Sequence, residues 1–126
     1  ENGAKRSIVL PVSAPFHCAP MAPAADVMSE ALADITLQPP LVPVVANVTA
    51  APEEDPGEIR RLLIEQVTSR VRWRECILKM RELGVNNFME IGAGKVLTGM
   101  NRRIDKGLTS LSVQSADDID AFASSL

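Results

Sequence analysis

The chain contains a single histidine, His17, and it is the side chain best suited to acid–base chemistry. An imidazole ring can accept and return a proton near neutral pH. Pro15 and Pro20 lie on either side of it and fix their backbone φ angles, which stiffens the loop that carries the ring. The nearest serine, Ser13, lies in the same stiff loop and is not an obvious nucleophile for this base. The residues alone therefore allow two interpretations of His17: a structural histidine held by a backbone carbonyl, or a titratable ring that acts without an obvious nucleophile in this chain.

The residues around His17 predict a strand, a loop and a helix in that order. Residues 8–12 form a short apolar run that is typical of a buried strand. From Met21 to Ile35 apolar side chains recur at helical spacing, and Pro20 suits the first position of a helix. We therefore expect the histidine at a strand-to-helix junction.

The rest of the sequence alternates predicted strands with predicted helices. Asp55 suits the N-cap of a helix, with proline next and glutamate at the third position, and Gly84 is a natural stop for a later helix. The elements expected are a strand over residues 42–48, helices starting at Asp55 and over residues 71–83, a strand over 87–91, a helix over 95–104, a strand over 108–113 and a short helix after Ser115. This alternation predicts an α/β fold with a mainly parallel sheet.

Composition limits the classes of function. A net charge of −3 argues against nucleic acid as a partner, because binding a phosphate backbone requires a basic face. No apolar run approaches the roughly 18 residues typical of a membrane span, so we expect no membrane partner. One histidine and two distant cysteines lack the spacing of metal ligands, so no metal site is expected. Cys18 and Cys76 are predicted to be two reduced thiols in a cytoplasmic protein.

Residues 92–95, Gly-Ala-Gly-Lys, resemble part of a phosphate-binding loop. That interpretation fails, because Met89 stands where the first glycine of such a loop belongs and Val96 where its serine or threonine belongs. The better interpretation is a strand-to-helix turn whose glycines permit close packing. The helix start after the turn still offers positive partial charge to an anionic group.

Four segments together resemble one enzyme family. They are residues 13–21, with Ser-Ala-Pro-Phe-His and Met21; residues 43–50, Pro-Val-Val-Ala-Asn-Val-Thr-Ala; Gln66 with residues 71–73, Val-Arg-Trp; and residues 90–99, Glu-Ile-Gly-Ala-Gly-Lys-Val-Leu-Thr-Gly. In this order and spacing they resemble malonyl-CoA:acyl carrier protein transacylases. Ala93 departs from the family, which usually has proline there. The resemblance covers nearly all of the chain but well under half of the family's usual length, so it indicates the C-terminal portion of the enzyme.

The resemblance also implies a fold and a domain organisation. It implies part of an α/β-hydrolase-like core with a mainly parallel sheet, together with the end of a ferredoxin-like insert. Residues 1–12 would be the end of that small subdomain and its return strand, and residues 13–126 the C-terminal part of the acyltransferase core. The family's Gly-x-Ser-x-Gly serine has no counterpart here. We therefore expect an incomplete active site in this chain and the catalytic serine in the N-terminal portion of the same enzyme.

The function that the resemblance implies is a ping-pong malonyl transfer in fatty acid synthesis. A malonyl group would move from coenzyme A to the enzyme serine and then to the phosphopantetheine thiol of acyl carrier protein. His17 would be the general base, Gln66 would orient it through its backbone carbonyl, and Phe16 would bind substrate and favour malonyl over methylmalonyl. No cofactor is expected beyond the coenzyme A thioester that serves as substrate.

Two other functions remain open. One is an acyltransferase domain of a polyketide-type synthase, and the other is a non-catalytic remnant that only binds a partner. Acyl carrier proteins are acidic, so a basic cluster is a candidate docking surface. The candidates are Arg70, Arg72 and Arg74 in one cluster and Arg102, Arg103 and Lys106 in the other, of which we favour the second.

Overall fold

The computed structural model describes residues 11–124 together with residues 3, 7 and 9. A short 3₁₀ helix, Ala19–Met21, leads into the regular elements. These are α1 (Ala22–Ala33), β1 (Val44–Val45), β2 (Pro52–Glu53), α2 (Pro56–Glu65), α3 (Trp73–Glu82), β3 (Asn87–Ile91), α4 (Val96–Ile104), β4 (Thr109–Val113) and α5 (Ala116–Ala123). The described part of the chain is therefore a mixed α/β structure, as the alternation predicted.

The strands form two separate pairs. β3 and β4 pair in parallel along their whole length, from Asn87 opposite Thr109 onward, and α4 makes the crossover between them. β1 and β2 pair antiparallel over two residues each. The predicted strand over residues 42–48 is too long, because the chain turns after β1. The Ala50 N–H donates to the Ala46 carbonyl at 2.8 Å, and Ala50 has a left-handed φ of 53°.

The predicted strand over residues 8–12 is not found in its described part. Residues 8 and 10 lie outside the described residues, and Val9, Pro11 and Val12 belong to no strand. Val9 is 95% exposed and Val12 is 55% exposed, so these side chains have little packing to hold them against a sheet. Pro11 has no N–H to donate to a neighbouring strand. The division into residues 1–12 and 13–126 stays a prediction.

The helix boundaries follow the local signals in the sequence. Asp55 caps α2, because its Oδ1 accepts the Glu58 N–H at 2.7 Å. Gly84 has φ 90° and ends α3 in the left-handed conformation that glycine adopts without strain. Ser115 and Asp118 start α5 with a reciprocal capping box. The starts of α2 and α5 and the end of α3 are thus confirmed.

The core is centred on α2, α3, α4 and β4. Its buried apolar residues are Ala50, Leu62, Cys76, Ile77, Leu108 and Val113. The Trp73 Nε1–H donates to Oδ1 of the buried Asn101 at 3.0 Å, which joins α3 to α4. Both cysteines, Cys18 and Cys76, are free thiols, as predicted. Burial raises the pKa of the Cys76 thiol, so this side chain behaves as a small apolar group of the core.

The glycine turn of residues 92–94 connects β3 to α4 and is held by polar contacts. Gly92 and Gly94 have φ angles of 126° and 100°, which favour glycine over every other residue. The Gly94 N–H donates to Oε1 of Gln114 at 3.0 Å, and Ser112 Oγ donates to the Gly94 carbonyl at 2.8 Å. The prediction of a strand-to-helix turn is confirmed.

Glu90, two residues before this turn, caps α4. Its carboxylate accepts the Leu97 N–H at 3.1 Å and the Thr98 N–H at 2.7 Å. The Thr98 N–H bond, with further bonds from the same helix start, lowers the pKa of Glu90 below its ordinary value. The anionic group at this helix start is therefore the chain's own carboxylate and not an external anion.

Glu90→Gln should destabilise the chain at neutral pH. A carboxyl whose pKa is lowered on folding stabilises the native state above its ordinary pKa of 4.5, and this contribution is lost as pH falls through the lower native value. We expect the difference in unfolding free energy to be present at pH 7 and to shrink below pH 4.5. Urea unfolding of both proteins across this pH range measures it. The exposed Glu54→Gln is the control, and a difference that does not change with pH would contradict the assignment.

Candidate active site

His17 lies in a tight loop with an unusual backbone conformation. Its φ angle is 57°, a left-handed value that is uncommon for a residue other than glycine. The Cys18 thiol donates to the Pro15 carbonyl at 2.8 Å, and the Met21 N–H donates to the Cys18 carbonyl at 2.9 Å. These bonds close the loop on both sides of the histidine. Backbone strain of this kind is concentrated at functional sites in proteins.

The ring of His17 contacts the end of α2. Its Nδ1 atom lies 2.9 Å from the backbone carbonyl oxygen of Gln66. A carbonyl oxygen only accepts, so Nδ1 carries the proton and donates it to this bond. In the neutral ring the Nε2 atom then keeps a free lone pair, and the exposed position of His17 leaves it accessible. This is the arrangement that a general base requires.

The position of Gln66 explains why its carbonyl is free to accept this bond. Gln66 is the C-cap of α2, and the last carbonyls of a helix have no partner within the helix. The Ser69 N–H also donates to the Gln66 carbonyl, at 3.3 Å, and leaves one acceptor position for the ring. The structure therefore brings His17 and Gln66 together through the backbone atom. Their catalytic roles stay a prediction.

A cavity of about 210 Å³ lies between β1 and α2 beside this contact. Its wall is mainly apolar, with Val45, Leu62 and Leu63 among its residues, and Asn47 and Gln66 provide polar groups. No group of three side chains that could hold a metal ion occurs in residues 11–124 or at the described positions before them. No helix in the described part of the chain is long and apolar enough to cross a bilayer.

Phe16 lies outside the core. Its side chain is 57% exposed, directly before the histidine in sequence. Core packing therefore does not hold the ring. Its role in substrate binding stays a prediction.

The two basic clusters differ in their surroundings. Arg72 is half-buried, and its Nη1 donates to the Thr49 carbonyl at 3.0 Å, so it holds the turn after β1. The basic residues of the second cluster, Arg102, Arg103 and Lys106, are all exposed at the end of α4. The second cluster is therefore the more open surface of the two.

Two features of the site were missed by reasoning from the sequence. The prolines beside His17 indicated a stiff loop, but they gave no signal for the left-handed φ of His17. The hydrogen bond from the Cys18 thiol to the Pro15 carbonyl was also missed, since a cysteine next to the histidine indicates only an ordinary reduced thiol. Both depend on how the loop closes on itself, which a local pattern does not specify.

Several known proteins similar to this chain are named for malonyl transfer to acyl carrier protein. The chain is 46% identical over 108 residues to the malonyl CoA-acyl carrier protein transacylase of Salmonella typhimurium, covering 86% of this chain and 35% of that protein. The acyl-carrier-protein-S-malonyltransferase of Bartonella henselae has a similar crystal structure, with a TM-score of 0.86 and 52% identity over 98% of this chain and 39% of that one. No family model matches the chain.

A third similar protein has been solved with a carrier protein. It is a malonyl-transacylase in complex with a type II PKS acyl-carrier protein, with a TM-score of 0.82 and 41% identity, covering 97% of this chain and 40% of that chain. The chain thus spans about two fifths or less of the length of the relatives it matches. The match lies in their C-terminal part.

The His17–Gln66 contact predicts the protonation pattern of the ring. In the neutral imidazole the proton should reside on Nδ1, because the Gln66 carbonyl only accepts. Since the chain has one histidine, ¹⁵N labelling of histidine gives a single set of ring signals that reports the tautomer. A neutral ring protonated mainly on Nε2 would contradict the contact.

Proposed function

The chain belongs to the malonyl CoA-acyl carrier protein transacylase family, whose C-terminal part it matches, and from this we propose the activity of the whole protein. The whole protein transfers a malonyl group from coenzyme A to the phosphopantetheine thiol of acyl carrier protein. The observation that carries this proposal is the 2.9 Å contact between His17 Nδ1 and the Gln66 carbonyl, which leaves Nε2 free to act as a base.

In the proposed mechanism His17 moves one proton in each half of the reaction. Nε2 accepts the proton of a serine hydroxyl as the serine oxygen attacks the thioester carbonyl, and it returns that proton to the departing thiolate of coenzyme A. In the second half the carrier-protein thiol attacks the malonyl-serine ester, and its proton returns through Nε2 to the serine oxygen. The Gln66 carbonyl holds the ring in place by accepting the Nδ1–H bond in both halves.

The catalytic serine is proposed to lie in the N-terminal portion of the same enzyme, outside this chain. The absence of a Gly-x-Ser-x-Gly segment from the chain supports this assignment. Large apolar side chains that are exposed here supply a surface for that portion: Leu41 is fully exposed, Ile91 is 77% exposed and Val96 is 70% exposed. The chain alone then carries an incomplete site.

The biological setting follows from the same proposal. We propose fatty acid synthesis in the cytoplasm, with malonyl-CoA and acyl carrier protein as partners and no cofactor beyond the thioester. The runner-up is an acyltransferase that serves a polyketide synthase, which the similarity to a transacylase bound to a type II PKS carrier protein favours. A comparison of transfer rates to carrier proteins from both pathways separates the two settings. A non-catalytic remnant would transfer to neither.

Phe16 is proposed to limit the space beside the acyl α-carbon. Its exposed ring precedes His17 directly, so it is close to the reacting group in the sequence and free of core packing. In the whole enzyme, Phe16→Ala should raise the ratio of methylmalonyl to malonyl transfer. An unchanged ratio would remove this role.

Replacing the base tests the proposal directly. His17→Ala in the whole enzyme should lower the rate of malonyl transfer by about two to four orders of magnitude, the usual range for a positioned general base. Binding of malonyl-CoA should weaken little, because the ring acts on protons rather than on the substrate. Single-turnover transfer kinetics and equilibrium binding measure the two effects. Turnover near that of the wild type would contradict the proposed mechanism.

Gln66 gives a sharper test, because its role is assigned to the carbonyl. Gln66→Ala keeps the carbonyl and should reduce the rate less than about tenfold, or about 1.4 kcal/mol. Gln66→Pro removes the N–H that donates to the Leu62 carbonyl at 3.0 Å, which distorts the helix end, so it should lose much more activity. Equal, large losses for both variants would instead assign the role to the amide side chain.

The proposed docking surface for carrier protein is the exposed cluster at the end of α4. Reversing the charge of Arg102 and Arg103 should raise KM for carrier protein and leave KM for malonyl-CoA unchanged. The defect should shrink as salt rises, since the screening length is about 10 Å at 0.1 M. Charge reversal at the exposed Arg70 and Arg74 is the control. Equal effects on both substrates would remove the docking claim.

A further inference from the structure

Helix α1 follows the His17 loop and packs on α2 without burying any of its residues fully. None of its twelve residues is fully buried. Leu32 and Ala25 are half-buried, whereas Val27 is 66% exposed and Met28 is 39% exposed. Since hydrophobic stabilisation grows with buried apolar area, the packing of α1 against the rest of this chain is modest. Polar contacts therefore add to what locates this helix on α2.

Two polar contacts join α1 to α2, one at each end. At the start of α1, His17 Nδ1 bonds to the carbonyl of Gln66 at the end of α2. Beyond the end of α1, the Ile35 carbonyl accepts a bond from Nη2 of Arg60, in the middle of α2. On α1 the contacts lie beyond opposite ends of a helix about 18 Å long, and on α2 they lie six residues, or about 9 Å, apart. Each contact therefore restrains a different end of α1 against α2.

The Arg60 contact is suited to this task by its charge and its surroundings. A bond from a guanidinium to a carbonyl is stronger than a bond between two neutral groups. Arg60 is half-buried, and its Nε atom is buried with no hydrogen-bond partner in the described part of the chain. Its neighbour Arg61 is exposed and pairs with Glu58 and Glu65 on the surface of α2.

We propose that Arg60 is a positioning residue, which holds the His17 ring at the Gln66 carbonyl by anchoring the far end of α1. This inference rests on the proposed function, since it concerns the histidine assigned there as the base. Loss of the anchor lets α1 and the loop before it shift relative to α2. The bond from Nδ1 to the Gln66 carbonyl then weakens, and Nε2 is no longer held in position to accept a proton.

The test uses three variants of the whole enzyme. Arg60→Met removes the donor and should lower kcat about tenfold with KM for malonyl-CoA unchanged, because misplacement by about 1 Å is enough to slow a positioned reaction severely. Arg60→Lys keeps a charged donor and should restore part of the loss. Arg61→Met is the matched control and should behave as the wild type, because an exposed ion pair contributes little.

The ring of His17 supplies a second measurement that needs no turnover. Its ¹⁵N signals are assigned by their loss in His17→Ala, and the fraction of neutral ring protonated on Nδ1 is measured without substrate. We expect this fraction to fall in Arg60→Met, to recover in Arg60→Lys and to stay unchanged in Arg61→Met. A purely structural role for Arg60 would leave the tautomer unchanged in folded protein.

Each outcome either supports or overturns the inference that Arg60 positions the ring. Wild-type kcat and an unchanged tautomer in Arg60→Met overturn it. If Arg60→Met does not fold, Arg60→Lys decides by the same two measurements, and failure of both variants to fold overturns the positioning role in favour of a role in the whole fold. If His17→Ala retains transfer activity, the proposed mechanism fails, while the tautomer measurement still tests whether Arg60 positions the ring.

Discussion

The hydrogen bond between the His17 ring and the Gln66 carbonyl is the interaction on which the site depends. It joins two segments 49 residues apart and sets which ring nitrogen carries the proton. For this bond to form, α2 must end at Gln66, and the cap at Asp55 fixes where that helix starts. The loop before α1 must also hold His17 at a left-handed φ, a conformation that costs of order 1–3 kcal/mol. The bonds of the surrounding loop offset that strain.

The other elements of the described structure support this contact. α3 and α4 are joined by the bond from Trp73 to the buried Asn101, and Arg72 holds the turn after β1. The Glu90 carboxylate fixes the start of α4 against β3. Many of these ties are polar and link one element to another. They fix the relative positions of these elements, which bury only a modest apolar surface against one another.

A backbone carbonyl is a hydrogen-bond partner that does not depend on the side chain of the residue that supplies it. It survives any substitution of the Gln66 side chain that preserves the helix end, and it stays an acceptor at every pH. A carbonyl partner also requires the His17 ring to be placed precisely, because a fixed carbonyl cannot move to follow a displaced ring.

The sequence by itself determined the local structure and the identity of the central residues. Asp55, Gly84 and Ser115 act through bonds to neighbours a few residues away, so their patterns predicted the helix boundaries correctly. His17 and Gln66 were found through the resemblance of their segments to a known family. The strand predicted over residues 42–48 is too long, and the described part of residues 8–12 forms no strand, because pairing requires a distant partner that β-rich composition does not supply.

Only the tertiary structure decided how these residues meet. The sign of φ at His17, the cap from Glu90 to α4 and the bond from Arg60 to the Ile35 carbonyl all depend on contacts through space. Residues 25 apart in sequence, as Arg60 and Ile35 are, carry no periodic signal that relates them. Local patterns encode bonds within a turn or a helix, whereas the relative placement of α1 and α2 emerges only when the whole chain folds.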